Sequence, residues 1–131
     1  MKNTSLKASV IISIYKDVEA LNAILFALNR QSETNFEVVI AEDCQSEEVL
    51  SYLKQQRFSF PIQHLSQEDI GFRKTKAVNR AIAAAKSDYL MFLDGDCLPH
   101  SHYVEEHLLQ REQNRVCTGR RVHLGPVVSS W

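Results

Sequence analysis

Two aspartates separated by one glycine, Asp94-Gly95-Asp96, follow directly on the apolar run Tyr89-Leu90-Met91-Phe92-Leu93. Such a run reads as a parallel strand buried on both faces. In open α/β sheets, ligands bind just beyond the carboxyl ends of strands of this kind. Two carboxylates placed there can hold a hard divalent cation, Mg2+ or Mn2+, which in turn can hold a diphosphate. One carboxylate would bind the cation directly. The other would accept from a ribose hydroxyl or coordinate through water. The expected chemistry is metal-assisted binding of a phosphorylated ligand such as a nucleotide-sugar. Asp-Gly is also a common turn pair, so the motif taken alone reads equally well as a plain turn.

Three further groups fall where they would meet that site. Glu42-Asp43 follows the β-branched run Phe36 to Ala41, and a carboxylate there can accept from a uracil imide N–H or a ribose hydroxyl. A turn or capping acid ahead of Ser46 is the plainer alternative. Tyr15 lies just past the run Ala8 to Ile14. Its ring can stack on a base while Ser13 and the local backbone read the base edge, or it can sit half-buried on the sheet rim. In Gly71-Phe72-Arg73-Lys74-Thr75-Lys76 three cations gather at a predicted helix start. Cations oppose the helix dipole there, so an incoming phosphate explains them better than helix stability does. Asn79 would brace the same loop. An exposed basic face is the alternative. His100 and His102, two apart, point in different directions on a helix and make a poor ligand pair.

These residues need a scaffold, and the pattern supplies one. Strands are predicted over 8–14, 36–41 and 61–65 and before Asp94, with a last one over 115–124. Asp17 caps a helix carrying Val18, Leu21, Leu25 and Leu28, and Ser46 caps one carrying Val49, Leu50 and Leu53. Val78, Ala81, Ile82 and Ala85 mark a third helix beginning near Gly71, and a fourth runs from Ser101 to Gln113. Strand and helix alternate with short connections, which predicts a three-layer α/β/α fold with a mainly parallel sheet. No linker or repeat divides the 131 residues, so one domain is expected.

Composition narrows the function classes. A net charge of -1 gives no electrostatic argument for nucleic acid or an anionic membrane. No apolar stretch approaches the roughly 20 residues of a membrane span. The polar start Met1 to Ser5 lacks a secretory core, so a cytoplasmic location is expected. Cys44, Cys97 and Cys117 lie far apart and read as reduced thiols rather than a disulfide or zinc framework. The ending Leu124 to Trp131 has no closing element and reads as the cut end of a longer chain. Apolar surface around Val122 to Trp131 would then favour a homodimer.

Taken in order, Ser9 to Lys16, Val38 to Cys44, Gly71 to Ile82 and Tyr89 to Pro99 resemble the N-terminal half of a family 2 glycosyltransferase of the GT-A fold. The Gly-Phe-Arg start and Asp-Gly-Asp-Cys end look most like members that build bacterial surface polysaccharide or chondroitin-like polymers. The resemblance implies that Asp43, helped by Glu42, contacts uridine and that Tyr15 packs on uracil near Ser13. It implies that Arg73 approaches the nucleotide or its diphosphate, that Asp94 faces the ribose, and that Asp96 coordinates the metal. The partners implied are a UDP-sugar donor and a saccharide acceptor, with inversion at the anomeric carbon. A peripheral association with the inner membrane is compatible with it. Ile14 and Lys16 flank Tyr15 where the family has proline or threonine and asparagine, and Glu42-Asp43-Cys44-Gln45 replaces Asp-Asp-Gly-Ser. Family domains are about twice this size, so the acceptor site and catalytic base are expected beyond Trp131.

Two rivals remain. Asp94-x-Asp96 also resembles the first motif of haloacid dehalogenase-type phosphatases, but no lysine follows Asp96, and only Glu105, Glu106 and Glu112 are acidic there. A non-catalytic nucleotide-binding or dimerising module is the other. A sugar nucleotidyltransferase would need a glycine-rich loop that Ser13 to Asp17 lacks.

Overall fold

The computed structural model describes residues 5–123. Its centre is a four-stranded, all-parallel sheet in the order β3-β2-β1-β4. The strands are β1 (Ala8–Ile14), β2 (Phe36–Glu42), β3 (Ile62–Ser66) and β4 (Leu90–Asp94). The helices α1 (Val18–Leu28), α2 (Glu47–Gln55), α3 (Lys74–Ala84) and α4 (Tyr103–Gln110) connect or follow them. The period-2 alternation of a strand sends neighbouring side chains to opposite faces. Val10, Ile12, Val38 and Ile40 thus enter one core with Leu21, Ile24 and Leu25 of α1, Val49 of α2 and Val104 of α4. Ile11, Val39 and Ala41 face the other way, against Ala77 and Ala81 of α3. Burying each large aliphatic side chain is worth about 1.5–3 kcal/mol. The small alanines let α3 lie close on its face of the sheet.

Both predicted caps form. Asp17 accepts from Ala20 N–H at 3.0 Å and Ser46 from Val49 N–H at 3.4 Å, each satisfying an otherwise orphaned helix donor. α3 has no side-chain cap or acid of its own in its first turn, and begins three residues after Gly71. Gly71 itself adopts φ +63°, a left-handed conformation suited to glycine, which lets the chain turn before the helix.

Three expectations are corrected. The run before Asp94 is not covered on both faces: β4 is an edge strand, and Phe92 is 53% exposed. α3 lies mainly over β1, β2 and β3; on that side of β4, Leu90 packs against its cluster while Phe92 is exposed. The fourth helix is shorter than 101–113 because Gln110 is followed by extended backbone at Arg111. No strand forms over 115–123, which is exposed and irregular. Arg115, Arg120 and Arg121 interrupt the apolar residues there, so the segment has no alternating face to lay on the sheet. Leu124 and most of the Val122–Trp131 apolar run lie outside the described residues. Among the described residues no helix is long and apolar enough to cross a membrane.

Candidate functional site

The carboxyl ends of β1, β2 and β4 open into a cleft of about 690 Å3, within the usual range for small-molecule sites. The register explains the convergence: Ser13 pairs with Ala41 on one side and Asp94 on the other. Ser13, Tyr15, Asp43, Asp94 and Asp96 therefore line one cleft, with Asp69, Gly71, Phe72 and Lys74 along its rim. Gly95 is fixed by close approach. A Cβ there would lie 2.7 Å from the Ser13 carbonyl oxygen, a backbone atom that cannot swing aside.

Asp94 accepts from Lys74 Nζ at 2.7 Å and from Ser13 Oγ at 3.5 Å, both on Oδ1. The Lys74 ammonium holds the Asp94 carboxyl below its ordinary range, against a smaller opposing effect of burial. Asp96 is exposed, and Cys97 Sγ lies 3.5 Å from its Oδ1. Ligating atoms of Asp94, Asp96 and Cys97 lie within 4.8 Å of one another. Burial, with Asp96 beside it, pushes the Cys97 thiol up. The two carboxylates of this group fit a hard cation such as Mg2+ or Mn2+.

Glu42, the last residue of β2, and Asp43, just beyond it, separate sharply. Asp43 reaches the cleft, 5% exposed. Its Oδ1 accepts from Gln67 Nε2 at 2.8 Å and its Oδ2 from the Arg73 backbone N–H at 2.7 Å. It thereby gives the start of α3 the negative charge that the helix lacks. Glu42 turns away and is fully buried, with His64 Nε2 2.8 Å from Oε1 and Ser46 N–H donating to Oε2 at 3.3 Å. It does not line the cleft; alternation puts it on the α1–α2 side of the sheet.

The three cations at the start of α3 do not gather on one point. Lys74 lines the cleft, Arg73 Nη2 donates to the Glu68 carbonyl at 2.7 Å, and Lys76 is exposed elsewhere. Asn79 is exposed on α3 and outside the cleft. Tyr15, 52% exposed, donates its hydroxyl to Asp69 Oδ2 at 2.9 Å. Lys16, at φ 57°, brings its Nζ within 3.0 Å of the same oxygen. The Lys16 ammonium, then the Tyr15 hydroxyl, lower the Asp69 pKa. This link joins the loop after β1 to the loop after β3. Sequence reasoning missed Asp69 and Gln67. Their one signal was position, since both follow β3 at the edge of the sheet where the other acids gather. His102 Nδ1 meets Ser32 Oγ at 3.0 Å and Glu105 at 3.2 Å, and none of the three lines the cleft.

A parallel sheet with an acidic cleft at its carboxyl edge defines a GT-A-type α/β domain. The chain belongs to glycosyl transferase family 2, whose family model matches residues 9–131. It is 33% identical over 108 residues to an uncharacterized glycosyltransferase of Haemophilus influenzae, covering 81% of this chain and 35% of the relative. It is 28% identical over 109 residues to the chondroitin synthase of Pasteurella multocida, covering 82% of this chain and 11% of that one. The chain therefore spans about a third or less of these relatives' lengths. Among solved structures, S. aureus TarS matches with a TM-score of 0.71 at 24% identity, over 79% of this chain and 19% of TarS. The mannosyltransferase PcManGT of Pyrobaculum calidifontis, solved with GDP-Man and Mn2+, matches with a TM-score of 0.62 at 15% identity, over 76% and 30%. Family membership displaces the phosphatase reading of Asp94-x-Asp96.

Proposed function

We propose that this chain forms the donor site of a metal-dependent glycosyltransferase. The donor is a nucleoside-diphosphate sugar, with a UDP-sugar the first choice. The sugar passes to a saccharide acceptor with inversion, in the synthesis of a surface polysaccharide at the cytoplasmic side. The observation that carries this reading is the convergence of Ser13, Tyr15, Asp43, Asp94 and Asp96 from three strand ends on one cleft. The choice of nucleotide is supported by TarS, whose 1-349 portion was solved with UDP and with UDP-GlcNAc. The polymer is supported by the chondroitin synthase relative.

In this reading the Tyr15 ring offers a face to the base, and Asp43 accepts from the base imide or a ribose hydroxyl. Ser13 and Asp94 meet the ribose. Lys74 lies close enough to Asp94 to turn to the diphosphate. Arg73 contributes through its backbone N–H, which steadies Asp43, since its guanidinium is tied to Glu68. Glu42 supports the end of β2 from within. Asp96, with Asp94, would hold Mn2+ or Mg2+, which when bound offsets the charge on the departing diphosphate. An attacking acceptor hydroxyl also needs a general base within hydrogen-bond reach, and none of the cleft residues is assigned that role. Donor binding without efficient transfer is the expectation for these 131 residues alone.

Calorimetric titration of UDP into the protein, with and without Mn2+, tests this. Metal-dependent binding that is lost in Asp96→Ala is expected. Equal binding with and without metal would remove the cation from the reading, and no binding to UDP or GDP in either condition would remove the donor site.

A further inference from the structure

Gln67 is 6% exposed, whereas residues 68–72 that follow it are exposed. Its amide nitrogen donates twice, to Asp43 Oδ1 at 2.8 Å and to the Arg73 carbonyl at 3.1 Å. Both partners can only accept, so the amide sits one way round; the flipped group would set oxygen against oxygen twice. The amide oxygen is buried and has no hydrogen-bond partner among the described groups. A buried orphan acceptor is destabilising. A side chain kept for packing alone would be apolar here. Gln67 instead carries the cost of an idle oxygen and uses the nitrogen that faces Asp43.

The two donors reach Asp43 from different elements, the end of β3 and the start of α3, and together they fix the plane of its carboxylate. Each carboxylate oxygen has two lone pairs. One on each is taken by Gln67 or Arg73, so both oxygens keep capacity for a ligand in the cleft that Asp43 lines. We propose that Gln67 is a positioning residue, orienting Asp43 so that its free lone pairs meet a donor-bearing edge of the nucleoside. That edge is an imide N–H of the base or a ribose hydroxyl. The proposal rests on the donor-site reading above and adds to it the residue that sets how the nucleoside is read.

The test is a double-mutant cycle on the whole 131-residue chain. With Mg2+ present throughout, UDP and GDP are titrated into wild type, Gln67→Met, Asp43→Ala and the double variant, followed by protein NMR, which detects weak binding. Gln67→Met keeps side-chain volume and loses both donated bonds; it is expected to weaken binding about tenfold, the scale of a hydrogen bond to a charged group. In the Asp43→Ala background the same change is expected to cost less than about twofold, because Gln67 acts through the carboxylate. A purely structural role would give the same loss in both backgrounds and overturn the proposal. So would unchanged affinity in Gln67→Met, which leaves the donor-site reading standing, or in Asp43→Ala, which also removes Asp43 from that reading, while wild type still binds. Wild type that binds neither nucleotide overturns both. If Gln67→Met loses its dispersed spectrum, Gln67→Asn takes its place in the cycle, with the same outcomes deciding.

Discussion

The two ends of one sheet treat their carboxylates in opposite ways. At the amino end, Glu37 is fully buried and partnered from within: Ser9 Oγ and Lys86 N–H donate to Oε1 at 2.7 and 2.6 Å, and Gln63 Nε2 to Oε2 at 3.0 Å. Ser9 Oγ in turn accepts from Ser87 N–H at 3.1 Å, and Gln63 also donates to the Ala84 carbonyl at 3.0 Å. The network ties the exit of α3 to the starts of β1 and β2. At the carboxyl end, Asp43, Asp94 and Asp96 line a cleft and keep capacity for a ligand. A buried acid whose every partner is internal holds the fold, and an acid whose partners leave it facing a cleft is available for chemistry. Glu42 and Asp43 repeat the contrast within two residues.

The largest expected effect breaks the closed end. Glu37→Ala leaves the Ser9 hydroxyl and the Lys86 N–H without that acceptor and Gln63 with the Ala84 carbonyl alone, and a loss of about 2–5 kcal/mol is expected, at about 1–3 kcal/mol for each donor left unsatisfied. Urea unfolding would measure it, and a loss below about 1 kcal/mol, as for a surface hydrogen bond, would sink the comparison. Nucleotide affinity of the folded variant should be unchanged. Gly95→Ala comes next, because its Cβ would press on the Ser13 carbonyl. A stability loss of about 1–3 kcal/mol is expected from overpacking. It should come with weakened UDP binding, since the change moves the end of β4 that carries Asp94 and Asp96. Unaltered stability would mean that the β4 turn relaxes freely.

Lys74→Met separates binding from stability at the open end. The Lys74–Asp94 pair is 42% and 46% exposed, so its net contribution to folding is expected to stay below about 1 kcal/mol. UDP affinity should fall severalfold while uridine affinity holds if, as proposed, the ammonium turns to the diphosphate and not the base. Equal losses for UDP and uridine would place Lys74 elsewhere in the site.

The elements were legible because their signals are local. β-branched runs, Asp17, Ser46 and helical spacing each act within a few residues, and the four strands and four helices follow from them. Convergence of Ser13, Tyr15, Asp43, Asp94 and Asp96 was legible too, since parallel strands put their carboxyl ends on one edge. What escaped depends on distant pairing. Nothing near Glu37 announces that Gln63 and Lys86 will close over it. Nothing near Gln67 announces Asp43, 24 positions away. Glu42 and Asp43 read alike as a pair, and the side of the sheet each side chain takes decides which one lines the cleft. The apolar residues over 115–124 suggest a strand, but a strand also needs a partner edge, and nothing local to the segment supplies one.

The smallest expected effect tests whether satisfaction alone makes an acid structural. Glu33, beside the closed end, is also well partnered: Asn35 N–H donates to Oε2 at 2.9 Å and Lys7 Nζ to Oε1 at 3.0 Å. The Asn35 N–H first, then Lys7, hold its carboxyl below the ordinary range. A depressed folded pKa means that the unfolded chain binds the proton more readily. The stabilisation is therefore whole above the ordinary glutamate value of about 4.3 and is lost as pH falls through the lower folded value. Lys7 is 55% exposed and Glu33 19%, so the contribution is expected to be about 0.5 kcal/mol, far below that of Glu37. Urea midpoints of wild type and Glu33→Gln should differ slightly at neutral pH and converge in acid. A Glu33→Gln loss as large as that of Glu37→Ala would show that hydrogen-bond saturation, rather than burial, sets what an acid contributes at this end of the sheet.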